Sequence, residues 1–180
     1  QDLDCDICEA IEGVTDGYDD YNFSHVGIVK RSGESLLIGE AISEGVVWTP
    51  LSNFVSRAEK EGIPQLLVMR LKAPYQKHIE PALEFIENRE GAEYDPEYVY
   101  GDDRYYCSEL LHDAFARSTP TLFTLEPMTF KTPDGQAFHP AWIDYFQSRD
   151  LQIPEGKAGI NPGGMSTSPH LEPIFVMGLN

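Results

Sequence analysis

Between residues 107 and 117 (CSELLHDAFAR) the apolar positions Leu110, Leu111, Ala114 and Phe115 recur at helical spacing from Cys107. That periodicity predicts a helix with Cys107 at the leading edge of its buried stripe. Upstream the pattern changes to short apolar runs broken by turn residues. SHVGIVKRSGESLLIGEAI (24–42) reads as a β-hairpin with arms 25–30 and 35–42 and a turn at Ser32-Gly33. GVVWTPL (45–51) either extends that sheet or leads away from it. PQLLVMRLK (64–72) is apolar enough to predict a strand buried on both faces. Further helices are predicted over CDICEAIEGV (5–14) with Gly13 as its stop, over SNFVSRAEKEG (52–62) closed by Gly62, over HIEPALEFIENREG (78–91) with Pro81 near its first turn, and around PAWIDYFQSR (140–149). IFVM (174–177) reads as a strand. Helix, then sheet, then mixed elements is an α+β order. We expect one domain over 1–180, with the Pro- and Gly-containing segment 118–180 wrapping over the body as part of it.

Composition is that of an ordinary globular chain: 180 residues, 41% hydrophobic and 24% charged. No apolar run is long enough to cross a bilayer as a helix. The charge is lopsided, with 30 acidic against 13 basic side chains and a formal net charge of −17. Such a field repels nucleic acid and anionic lipid and argues against either as a main partner. The chain begins at Gln1, which implies a removed leader or a fragment.

Three cysteines make no disulfide framework. Cys5 and Cys8 form a CxxC, but a structural zinc site requires four ligands, so no metal is expected and the pair reads as a redox couple or as two packed thiols. The acidic loop DGYDD (16–20) lacks the ligand spacing and distal Glu of a calcium-binding EF-hand. Cys107 is left over, and a helix N-terminus is where a thiolate gains most from free backbone N–H groups and the helix dipole. The plainer reading is that Cys107 is only the first core residue of its helix.

A thiol nucleophile requires a base. His112 lies about 140° around the same helix from Cys107. His78, His139 and His170 fall at a helix start, a turn and a polar tail. His25 opens a strand directly after a polar loop. A turn centred on Ser32-Gly33 sets His25 opposite Glu40, on one face with Cβ atoms roughly 5 Å apart. Glu40 is a lone charge in an otherwise apolar arm and requires a partner. A one-residue slip would instead send it to solvent. Cys107, His25 and Glu40 together make an arrangement for nucleophilic acyl transfer.

HVGIV (25–29), GEAISEGVVWTPLSNF (39–54) and YDPEYVYGDDRYYCSELL (94–111) resemble the circularly permuted NlpC-type, YiiX-like cysteine hydrolases of the papain-like superfamily. The resemblance runs from about residue 1 to 117. It implies a papain-like fold in which an antiparallel sheet or barrel packs against the Cys helix. By the same likeness Cys107 is the nucleophile, His25 the base and Glu40 the orienting residue. The implied reaction is cleavage of an amide, as by a peptidase or amidase acting on cell-wall peptides, without a cofactor and with a small peptide, amide or acyl substrate as partner. A thioesterase or acyltransferase with the same residues, and a non-catalytic binding module on the same fold, are the alternatives. Tyr94, Tyr105 and Tyr106 are the tyrosines expected to line the substrate groove. The family's opening Gly-Asp-Leu strand is missing ahead of Gln1. Its exported members imply a periplasmic or envelope location.

Overall fold

A computed structural model describes the backbone of residues 5–179 and the side chains from residue 7 onward. The elements, in chain order, are α1 (Cys5–Glu12), β1 (Ile28–Ser32), β2 (Ser35–Ile42), β3 (Gly45–Pro50), α2 (Leu51–Arg57), β4 (Glu59–Lys60), β5 (Ile63–Pro64) and β6 (Leu66–Leu71). They continue with α3 (Ile79–Glu87), α4 (Cys107–Ala116), β7 (Glu126–Pro127), α5 (Pro140–Gln147), β8 (Ala158–Gly159), α6 (Pro162–Ser166) and β9 (Leu171–Met177).

The sheet nearest the candidate residues is an antiparallel meander in the order β1-β2-β3, so GVVWTP extends the hairpin. The other ladders pair β4 with β5, β6 with β9, and β7 with β8, and no closed barrel forms among the described residues. The hairpin register differs from the expected one. Ser32 pairs with Ser35 and Ile28 with Gly39, which centres the turn on Gly33-Glu34. Gly33, at φ +60°, supplies the first central position that a type II′ turn demands. The register is displaced by two residues, and because side chains alternate with period two, His25 and Glu40 stay on the same side. Gly27 brings the incoming chain against β2. A Cβ there would lie 2.4 Å from the Ile38 side chain.

Two other expectations are corrected. The helix at 51–57 stops at Arg57, and Gly62 (φ +77°) instead turns β4 into β5. Among the described residues, 66–71 pair only with β9, and they are mostly half-buried, not buried on both faces. A two-stranded ribbon has no second neighbour to cover it, and Ile174, Phe175, Val176 and Met177 of β9 are exposed.

The core gathers Ala41 and Val46 of the sheet, Ile86 of α3, Leu110, Ala114 and Phe115 of α4, Trp142 and Phe146 of α5, and Ile160 and Met165 beyond them. Residues from the 118–180 segment therefore share one apolar cluster with the sheet and the Cys helix. Ser108 Oγ donates to the Ile160 carbonyl (2.8 Å), which ties α4 to the 158–160 segment. Most residues of α4 are buried.

Glu109 in the first turn of α4 is 1% exposed. Its Oε1 accepts the Gly101 N–H (2.9 Å), and its Oε2 has no hydrogen-bond partner among the described residues. Burial, reinforced by Asp95 and Asp113, pushes its carboxyl up to about 8 from an ordinary 4.5. An acid whose folded value is raised loses stability as pH climbs from about 4.5 to about 8 and then levels off. We expect Glu109→Gln, which keeps the acceptor for Gly101, to melt higher than the parent above pH 8 and to match it near pH 4.5. Thermal melts across that range check this, and equal pH slopes would contradict it.

Candidate active site

Cys107 is the first residue of α4 and 7% exposed. Tyr106 ahead of it is extended (φ −88°, ψ 167°), and no side chain caps the helix. The backbone N–H groups of the first turn, which have no intrahelical acceptor, therefore stay available beside the sulfur.

His25 stands three residues ahead of β1, where the chain enters the sheet. Its Nε2 lies 2.6 Å from Glu40 Oε2. Glu40 occupies Nε2, which leaves Nδ1 as the ring nitrogen open to Cys107, a neighbour close enough to act on the imidazole's titration. Burial by itself would lower the imidazole pKa, but the bonds to Cys107 and Glu40 and their negative charge outweigh it and raise the value to about 9. Glu40 is fully buried in the middle of β2. Burial alone would raise its carboxyl, but His25, the Thr49 hydroxyl and Arg57 together hold it down at about 2. Arg57 Nη2 donates to the second oxygen, Oε1.

The other histidines are engaged elsewhere. His112 bonds Asp113 (3.0 Å), His139 accepts from the Ala141 N–H at the start of α5, and His170 lies against Tyr75 with ring centroids 4.3 Å apart. His78 ends the 3-10 turn that leads into α3.

His25 and Cys107 open into a cavity of about 1470 Å³ whose walls include Phe23, Phe54, Tyr94, Phe123, Met128 and Met165. The three tyrosines expected in the groove separate. Tyr94 lines the cavity, and its hydroxyl is 3.1 Å from that of Tyr98. Burial, with the charge of Cys107, raises its pKa. Tyr106 reaches the cavity wall but is 2% exposed, and its hydroxyl accepts the Ile160 N–H (3.2 Å). Its visible task is to fasten the 158–160 segment over the helix. Tyr105 departs from expectation. It faces a separate hollow with Phe85 and Arg89, and its hydroxyl accepts from Arg89 Nε (3.0 Å). Neighbours in an extended stretch point to opposite sides, so Tyr105 and Tyr106 cannot both line one groove.

Sequence reasoning missed Thr49 and Arg57. Tyr98 adopts φ +54°, unusual for a bulky residue, and its ring packs against Tyr94, Tyr106, Trp142 and Tyr145. The loop is held by Asp95, which accepts the N–H groups of Glu97 (2.8 Å) and Val99 (2.7 Å). The signal for Arg57 was present but unread: a buried carboxylate has two oxygens to satisfy, and His25 can serve only one. The CxxC reading falls on Cys5, whose side chain lies outside the described residues. Cys8 lines the cavity.

Residues 7–175 match the family described as permuted papain-like amidase enzymes, YaeF/YiiX, C92. No curated protein matches the chain. Among solved structures, metalloprotein YiiX from Escherichia coli O157:H7 is similar in fold, with a TM-score of 0.71 at 21% identity over 93% of this chain and 88% of that one. In this chain no group of three or more His, Cys, Asp or Glu is placed to hold a metal ion among the described residues.

Proposed function

The chain belongs to the YaeF/YiiX, C92 family of permuted papain-like amidases, which makes it a cysteine hydrolase, and from that premise we propose that Cys107, His25 and Glu40 cleave an amide bond through an acyl-enzyme. The observation that carries the reading is His25, whose Nε2 meets the buried Glu40 at 2.6 Å and whose ring shares a cavity wall with Cys107, which acts on its titration.

With its pKa near 9, His25 holds a proton at neutral pH, and in the proposed reaction Cys107 reacts as the thiolate beside that imidazolium. Cys107 Sγ attacks the carbonyl carbon and forms the S–C bond. The electron pair moves to the carbonyl oxygen, where the free N–H groups of the first turn of α4 stabilise it. Collapse of this adduct breaks the C–N bond, and His25 Nδ1 gives its proton to the leaving amine. The now neutral His25 takes a proton from water, the hydroxyl adds to the acyl carbon, and the S–C bond breaks to restore the thiolate and imidazolium. Glu40 stays ionised throughout and holds the ring in position. Tyr94, in the wall of the cavity that His25 and Cys107 share, is the substrate contact in this reading.

A second reading, transfer or hydrolysis of an acyl ester at the same thiol, is favoured by the large cavity and its many apolar walls. Intact-mass measurement after exposure to peptide amides and, separately, to acyl esters distinguishes the two. We expect the protein to gain the acyl mass of the reactive class, mapped to Cys107. An adduct on another residue, or turnover with Cys107 unmodified at every time point, would refute the mechanism.

A further inference from the structure

Glu40 has two oxygens, and His25 occupies one. The other is held by Arg57 from the last turn of α2, a helix that packs on β2 and β3. We propose that Arg57 is a positioning residue of the reaction, a clamp that keeps Glu40 ionised and its Oε2 aimed at His25, so that the shared proton stays on the imidazole facing Cys107. The inference rests on the reading of Cys107, His25 and Glu40 given above.

The physical case starts from what Glu40 and His25 would do alone. Two opposite charges in a buried site can cancel by passing the proton from imidazole to carboxylate, which leaves a neutral pair with a smaller desolvation penalty. That transfer would remove the cation beside the sulfur. A guanidinium on the far oxygen opposes it, because it stabilises the carboxylate and cannot itself give up a proton. The Thr49 hydroxyl, which also helps to lower the Glu40 carboxyl, has no net charge and cannot do the same.

The geometry of α2 fits this task. Phe54 lies one turn before Arg57, with its ring centroid 5.7 Å from the His25 ring and 5.7 Å from the Arg57 guanidinium carbon. One apolar ring thus stands beside both cations. The Arg57 side chain is 33% exposed, so replacing it empties little of the core.

The test needs no substrate. The rate at which iodoacetamide alkylates Cys107 is measured from pH 3 to 10 in the full chain, with the site located by mass spectrometry and a melt recorded for each variant. We expect Arg57→Gln to move the acid limb of the Cys107 profile upward by about one pH unit, which slows alkylation about tenfold at pH values below the parental limb and leaves the plateau above it unchanged. Arg57→Lys restores the charge without the planar fork and recovers part of the loss. Glu40→Gln has an effect at least as large, and Arg57→Gln adds nothing on top of it, because the clamp acts only through Glu40.

A parental profile in Arg57→Gln, even with a lowered melting temperature, would overturn the clamp alone, provided that His25→Ala still shifts the limb. Additive effects of Arg57→Gln and Glu40→Gln would overturn it as well. If His25→Ala leaves the Cys107 profile unchanged, the three-residue reading fails and the clamp fails with it.

Discussion

Cys107→Ala is expected to lower turnover of any accepted amide or ester by about 10⁴-fold or more, the range seen when a covalent nucleophile is removed from a coupled catalytic set. The fold should survive. Position 107 is the first residue of α4, and Ala suits a helix interior better than Cys. The deletion removes one sulfur from a site that already borders the cavity, so the surroundings lose little packing. We expect a melting temperature within a few degrees of the parent. Circular dichroism melts and a turnover assay at matched concentration check both halves. Turnover that survives in a folded Cys107→Ala protein would remove the sulfur from the mechanism.

Glu40→Gln should have the second largest effect, through His25. Burial pulls the imidazole down, and only the bonds and charges of Cys107 and Glu40 lift it to about 9. With a neutral amide in place of the carboxylate, the imidazole pKa should fall well below 9. The amide also presents a donor where the ring needs an acceptor, which favours the wrong tautomer. An activity loss of about 10²- to 10⁴-fold at neutral pH is expected.

The stability change has a definite sign. His25, raised from 6.5 to about 9, stabilises the fold fully below 6.5 and loses that contribution as pH rises through 9. Glu40, lowered from 4.5 to about 2, stabilises it above 4.5 and loses that contribution as pH falls through 2. The pair therefore contributes in full between about pH 4.5 and 6.5, and Glu40→Gln should narrow the stability difference between pH 5.5 and pH 9.5. Imidazole titration by NMR, with denaturant melts at the two pH values, checks this. An imidazole still titrating near 9 in the variant would show that Glu40 is not what holds its proton.

Much of this protein could be read from local pattern. The stripe of α4 shows in the spacing of Leu110, Leu111, Ala114 and Phe115, and the hairpin shows in the apolar runs on either side of Ser32-Gly33. Local pattern also put His25 and Glu40 on one face, even though the turn was centred on the wrong pair of residues. Periodicity of two makes facing robust to a two-residue error, whereas it would not have survived a slip of one. HVGIV and YYCSELL carried the family likeness by their identity alone.

What only the tertiary structure decided is which groups meet across the chain. Tyr105 and Tyr106 look equivalent in sequence, yet one faces Arg89 and the other Ile160. Glu109 looks like a solvated helix charge until Gly101 and the segment around Ile160 close over α4. Leu66–Leu71 looks doubly buried because apolar content reports the need for cover and not its supply, and β9 covers one edge only. Arg57 reaches Glu40 because α2 folds back over β2 and β3. Backbone periodicity is a local property, set by each residue and its near neighbours. The partner of a side chain is set by packing between distant segments, and that is decided only when the whole core forms.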